Sequence, residues 1–162
     1  MRHGPWNLTT LPVLTVSASA TIFAGSLIQI AFEFDGSDRS VERLPVYGWD
    51  LLITGWLVVF DDNPLKLFIW LANPIMVVAW IRYLRGRWSA AWTSSLFALG
   101  LTLSFLLVES LLGPGPEGVN VEDFEMREIV SYGIGYWLWV ASAAVLVVGV
   151  TVGNVASRIM GK

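Results

Sequence analysis

Four polar residues sit in or beside long apolar runs, and any chemistry in this chain would start from them: Gln29, Glu33, Asn73 and Glu109. A carboxylate in a membrane-length apolar run is a functional candidate, because hydrocarbon disfavours its charge. Gln29 and Glu33 are four apart, which places them on one face if the run is helical. Asn73 stands before Pro74. Proline removes an amide donor and frees a carbonyl, so this pair could form a substrate or ion site at a broken helix. A packing kink with one interhelical hydrogen bond explains the pair equally simply. Glu33 and Glu109 both lie near one end of their runs, within reach of water. Together the four would line an outward-facing polar site for a cation or proton.

The other candidates have plain structural explanations. Asp50, Asp61, Asp62 and Asn63 could offer oxygens to a hard cation, but no twelve-residue calcium-loop pattern is present. Asp61-Asp62-Asn63-Pro64 also reads as a turn or helix cap. Glu125 and Glu128 fall on a connecting segment with no obvious cleft. There are no cysteines, which excludes thiol nucleophiles, thiolate metal sites and dithiol redox chemistry. The single histidine, His3, excludes a bis-histidine haem within one chain and a serine–histidine catalytic pair built into the apolar core. No glycine-rich phosphate loop, nucleophile elbow or paired-histidine zinc motif occurs. The expectation is a protein that is not an enzyme and needs no cofactor or metal.

The elements that must position these residues are membrane spans. Of 162 residues, 55% are hydrophobic and only 14% charged, with nine tryptophans. Ordinary soluble domains are about 25% charged. Residues 65–88 hold about twenty apolar positions, interrupted by Asn73-Pro74, and run into Arg82, Arg85 and Arg87. The runs predict spans over residues 12–34, 65–84, 89–112 and 132–157. Each is long enough to cross a core about 30 Å thick at about 1.5 Å per residue. Pro5 and the polar Asn7, Thr9 and Thr10 precede the first run, which reads as a retained span rather than a cleaved signal. Residues 47–60 are too short to span comfortably. In a helix, Trp49, Ile53, Trp56 and Phe60 would share one face, so this stretch reads as a helix lying in the outer interface or dipping in and returning. Residues 35–45 read as a polar loop, and 113–130 as a Gly/Pro turn followed by an acidic segment.

The fold class expected is all-α: a four-helix membrane bundle in one domain spanning residues 1–162, with one additional interfacial helix on the outer side. Charge sets its orientation. With both termini and the 82–87 turn inside, the inner side holds Arg2, Arg82, Arg85, Arg87, Arg158 and Lys162 and no acid. The other side holds Arg39, Arg43, Lys66, Arg127 and all 13 acids. That is a strong positive-inside pattern. Small residues in the first run, and Gly149 and Gly153 in the fourth, suit close helix packing, within the chain or between copies. Tyr132, Tyr136, Trp137 and Trp139 read as an aromatic belt at the membrane interface.

Three motifs carry a resemblance: the GW pairs Gly48-Trp49 and Gly55-Trp56, WLANP from Trp70 to Pro74, and GYWLWVAS from Gly135 to Ser142. With the basic turn between them, the chain resembles a scattered set of small bacterial four-span inner-membrane proteins. The resemblance implies a bacterial inner membrane and no activity. The small multidrug transporters also have four spans, with a carboxylate well inside the first. Here that centre is uncharged from Ala20 to Gly25. The function expected is therefore an accessory or interaction subunit acting through helix packing. Its partners would be the lipid bilayer and a membrane protein or further copies of itself, with no nucleic acid. An oligomeric small transporter or channel, using the four polar residues above, is the alternative.

Overall fold

The computed structural model describes residues 10–35, 43–56, 64–114 and 124–160. His3, Phe60, the Asp61-Asp62-Asn63 group and the acidic stretch 115–123 lie outside the described residues, as do Arg2, Arg39 and Lys162. In chain order the elements are α1 (Thr10–Leu27), β1 (Ile30–Phe34), β2 (Leu44–Tyr47), α2 (Gly48–Thr54), α3 (Pro64–Trp70), α4 (Ala72–Leu84), α5 (Trp88–Ser104), a 3-10 turn (Phe105–Leu107), β3 (Ser110–Pro114), β4 (Phe124–Tyr132) and α6 (Ile134–Met160). Among the described residues, four helical stretches are long and apolar enough to cross a membrane: Thr10–Leu27, Leu67–Leu84, Trp88–Leu107 and Ile134–Ile159.

The all-α expectation fails at one end of the bundle. A four-stranded antiparallel sheet stands there, in the order β2-β1-β4-β3. The apolar run over 12–34 is helical only to Leu27, and its last residues form β1, with Ala31, Phe32 and Phe34 buried. The run over 89–112 likewise leaves the helix after Leu107 and enters β3. Tyr132 ends β4 rather than beginning the last helix, and residues 44–47 and 124–132 are strands rather than loops. Hydrophobicity alone does not separate a buried strand from the end of a span, because both are continuously apolar.

The break between α3 and α4 falls at Leu71, three residues before Pro74. Pro74 therefore occupies the first turn of α4, where a missing amide hydrogen costs least. At the opposite end of the bundle, α4 closes on Gly86, whose φ of +69° favours glycine. The Gly86 and Arg87 amides donate back to the Tyr83 and Arg82 carbonyls at 3.0 and 2.9 Å. The tight turn at 85–87 packs beside the end of α6. Arg87, Trp88, Asn154, Ser157 and Arg158 line one shallow hollow there. This arginine end lies opposite the sheet end.

The bundle exposes large apolar side chains and buries small polar ones beside its apolar centre. Ser19, Ser95, Thr102 and Ser142 are fully buried, whereas Phe97, Leu107 and Val148 are 64%, 73% and 63% exposed. Small polar residues let the helices approach, and large apolar ones face outward. Met76, Ala79, Tyr83, Ala91, Ala98, Ala143, Leu146 and Val150 form the apolar centre. Ser19 ties three helices together: its hydroxyl donates to the Ser142 carbonyl at 2.9 Å and accepts from Trp80 Nε1 at 3.0 Å. Gly149 lies against Thr15 of α1, and Gly153 against Tyr83 and Trp88, so both glycines serve contacts within the chain. The Tyr83 hydroxyl donates to the Gly149 carbonyl at 2.6 Å.

Ser19→Ala should lower stability by about 1–3 kcal/mol, because it leaves the Trp80 indole N–H without its acceptor. Ser142→Ala should cost less. It removes only a donation to the Met76 sulfur, since the bond from Ser19 goes to the Ser142 backbone. Unfolding curves of both variants in detergent micelles check the order.

Candidate functional site

The sheet and the helix ends beneath it enclose an aromatic core. Phe105 is its centre. Its ring lies 5.6 Å from Phe32, 5.9 Å from Tyr132, 5.7 Å from Tyr136 and 6.4 Å from Trp139. The Tyr136 hydroxyl donates to the Thr102 carbonyl at 3.1 Å. Tyr132 donates towards the Phe105 and Val108 carbonyls, both at 3.3 Å, and burial raises its phenol pKa above the ordinary value. The aromatic-belt expectation therefore fits Trp137 alone, which is about half exposed. Tyr132, Tyr136 and Trp139 turn inward instead, because β4 and α6 meet at Gly133. The Gly133 amide donates to the Ala31 carbonyl at 2.8 Å.

Beside this core is a cavity of about 100 Å³. The three motifs singled out in the sequence meet on its wall. Gly48 and Gly55 come from the GW pairs, Trp70 and Asn73 from WLANP, and Gly135, Tyr136 and Trp139 from GYWLW. Each glycine marks a close approach. A Cβ on Gly48 would meet the Ser26 carbonyl oxygen and Leu27 Cα, and one on Gly55 would meet the Trp70 indole. A Cβ on Gly135 would lie within 3 Å of the Gln29 and Ile30 carbonyl oxygens. In each GW pair the glycine faces the protein and the tryptophan faces out: Trp49 and Trp56 are 50% and 49% exposed. Ile53 is exposed between them, as expected for one face of a helix. α2 is thus pressed onto the ends of α1 and α3 and closes one side of the cavity. Trp70 Nε1 donates to the Leu52 carbonyl at 3.3 Å and holds it there.

The four polar candidates do not gather at this cavity. Asn73 lines it, and its Oδ1 accepts from Trp139 Nε1 at 3.0 Å. Glu33 lies in the sheet, opposite Pro45 on one side and Ser131 on the other. Its Oε2 accepts from Arg43 Nη1 at 3.2 Å and from the Ser131 hydroxyl at 2.9 Å. Gln29 precedes β1, so it does not share a helical face with Glu33. Its side chain is exposed, and its carbonyl accepts the Gly48 amide at 3.1 Å. Glu109 is exposed just before β3, and its carbonyl accepts the Ile129 amide at 2.9 Å. No hydrogen bond or ion pair joins any two of the four among the described residues. Asp50 closes the start of α2, accepting the Tyr47 amide at 3.3 Å. Among the described residues no group of three or more His, Cys, Asp or Glu side chains could hold a metal.

The architecture is a bundle with four helical stretches long and apolar enough to cross a membrane among the described residues, whose ends carry a small antiparallel sheet. No protein-family model, curated protein or solved structure matches the chain.

Neither glycine contact of α2 yields without loss. Gly48→Ala presses on backbone, and Gly55→Ala presses on an indole whose rotation would break the Trp70 bond to the Leu52 carbonyl, so each should destabilise the protein by about 1–3 kcal/mol. No loss in thermal unfolding for either variant would refute this account of how α2 is seated.

Proposed function

We propose that the chain is a small multi-pass protein of a bacterial inner membrane that works by association rather than catalysis, as an accessory subunit of a membrane partner. One observation carries the reading. The buried residues that are described include no carboxylate, amine, guanidinium or imidazole. Catalysis or ion passage would call for such groups or for a polar path. The interior instead holds serine and threonine hydroxyls bonded locally to carbonyls, as in Ser95 to Trp92 and Thr102 to Leu99. The Glu33 carboxylate is paired within the sheet, which favours a structural role over a transport site. What remains for function is surface: the apolar helix faces, and a sheet whose outer strands are β2 and β3.

The charge pattern supports an orientation with both termini cytoplasmic. Arg82, Arg85, Arg87 and Arg158 stand at one end of the bundle, and Glu33, Asp35, Asp50, Glu109 and Glu128 at the sheet end. The sheet then lies on the outer side. α2 lies along the outer interface with Trp49, Ile53 and Trp56 towards the headgroups.

The natural absence of cysteine makes the orientation directly testable. Single cysteines at Gln29 and Glu109 should react with a membrane-impermeant maleimide in intact spheroplasts. Those at Arg85 and Arg158 should react only after permeabilisation, and the reverse pattern would overturn the orientation. For the accessory role, the tagged protein is purified from its native membrane in mild detergent and its companions are identified by mass spectrometry. A foreign subunit in fixed stoichiometry is the expected result, and recovery of this chain alone would overturn the role.

A further inference from the structure

The cavity beneath α2 has an incomplete hydrogen-bond inventory, and the shortfall is specific. Four side-chain donors on its wall are occupied by the protein: the Ser26 hydroxyl by the Phe23 carbonyl, Trp70 Nε1 by the Leu52 carbonyl, the Tyr136 hydroxyl by the Thr102 carbonyl, and Trp139 Nε1 by Asn73 Oδ1. The bond from Trp139 also orients the Asn73 amide. With Oδ1 turned to the indole, Nδ2 is the free end. It carries two N–H groups that have no acceptor among the described residues. Asn73 is only partly buried by the protein itself, so it is the apolar surroundings that make an unmade hydrogen bond of this kind costly. The cavity thus presents a donor and calls for a ligand with an acceptor.

Shape and depth narrow the ligand further. Rings supply much of the wall: Phe23, Trp70, Phe105, Tyr136 and Trp139. A flat molecule exploits such walls by stacking or edge contacts. The cavity, about 100 Å³, is smaller than the apolar cavity of about 150 Å³ that accommodates benzene, and it is partly open, so a ring would enter it by one edge and the rest of the molecule would lie outside. Asn73 stands twelve residues from Arg85, about 18 Å along the helix axis. If the arginine end marks one membrane surface, Asn73 lies well inside a hydrocarbon core of about 30 Å. α2 lines the same cavity from the outer interface, so a lipophile dissolved in the bilayer reaches it from the boundary between core and headgroups, where phospholipid ester carbonyls also lie.

We propose that the cavity binds a flat, carbonyl-bearing ring on an apolar chain, the chemistry of a membrane quinone, with a ring carbonyl accepting from Asn73 Nδ2. This rests on the membrane placement proposed above but not on the accessory role. The site binds and orients the ring; no electron or proton transfer is assigned to it.

The test is a titration of the purified full-length protein in detergent with decylubiquinone, followed by tryptophan quenching and corrected with free N-acetyltryptophanamide. Saturable quenching is expected. Asn73→Leu should weaken binding roughly five- to ten-fold, the worth of one hydrogen bond. Ala31→Leu fills the cavity from β1 and leaves the Trp139–Asn73 bond in place, so it should abolish saturation. It decides the question if Asn73→Leu fails to fold. Non-saturating quenching, or equal affinity in wild type and Ala31→Leu, overturns the proposal. So does displacement of the probe by a short-chain diacyl phospholipid, which would assign the cavity to an acyl chain. Because the probe is added to the isolated chain, binding would persist even if no partner subunit is found.

Discussion

Backbone amides and carbonyls that leave a helix in apolar surroundings must find new partners at once. The rest of this fold depends on how that requirement is met. α1 ends at Leu27 and α5 at Ser104, yet apolar sequence continues beyond both. The continuing segments become β1 and β3. Their partners come from elsewhere in the chain: β1 pairs with β2 and β4, and β3 with β4. The β1–β4 ladder joins two hairpin-like units from different connections, one between the first two helical stretches and one between the last two. Without it, neither Phe32 nor Phe105 would have a roof, and the aromatic core would not close.

Close backbone approach is the second constraint, and it depends on small residues. At the sheet end, Gly48, Gly133 and Gly135 bring α2 and the start of α6 against the turn between α1 and β1. In the bundle, Gly149 and Gly153 admit Thr15 and Trp88. The tryptophans next to the GW glycines then point outward, where an indole suits a boundary between apolar and wet phases. The same crowding that seats α2 leaves a void behind it. α2 is held by a capping interaction at its start, by the Trp70 bond at Leu52 and by Leu51 against the aromatic core, with the cavity beside that contact.

The distribution of polar groups separates holding from doing. Carboxylates and arginines sit at the two ends, where charge orients the molecule. Hydroxyls sit inside, and those of Ser19, Ser26, Ser94, Ser95, Thr102 and Ser142 donate to a carbonyl or a sulfur. Asn73 departs from this pattern, with one half of its amide used and the other half facing an apolar space. That asymmetry makes the cavity, and not the carboxylates, the place where a ligand would be recognised. It also shows why Glu33 and Glu109 attract notice in the sequence yet fall apart as a pair. Glu33 is held by Arg43 and Ser131 in a sheet, and Glu109 is exposed at the start of another strand.

The sequence by itself determined the four long apolar stretches, their approximate centres, the basic turn at 85–87 and the outward face of Trp49, Ile53 and Trp56. These are local properties: hydropathy over about twenty residues, a glycine between arginines, and a helical repeat. Tertiary structure alone decided where the helices stop. Whether residues 30–34 and 110–114 continue a helix or turn into strands depends on Leu44–Tyr47 and Phe124–Tyr132 being available to pair with them, and no local pattern records that. It also decided that Tyr132, Tyr136 and Trp139 face inward, since their direction follows from the turn at Gly133. The meeting of Gly48, Gly55, Trp70, Asn73 and Trp139 around one space was undetermined for the same reason. Their spacing is legible residue by residue, but convergence is a property of packed elements far apart in the chain.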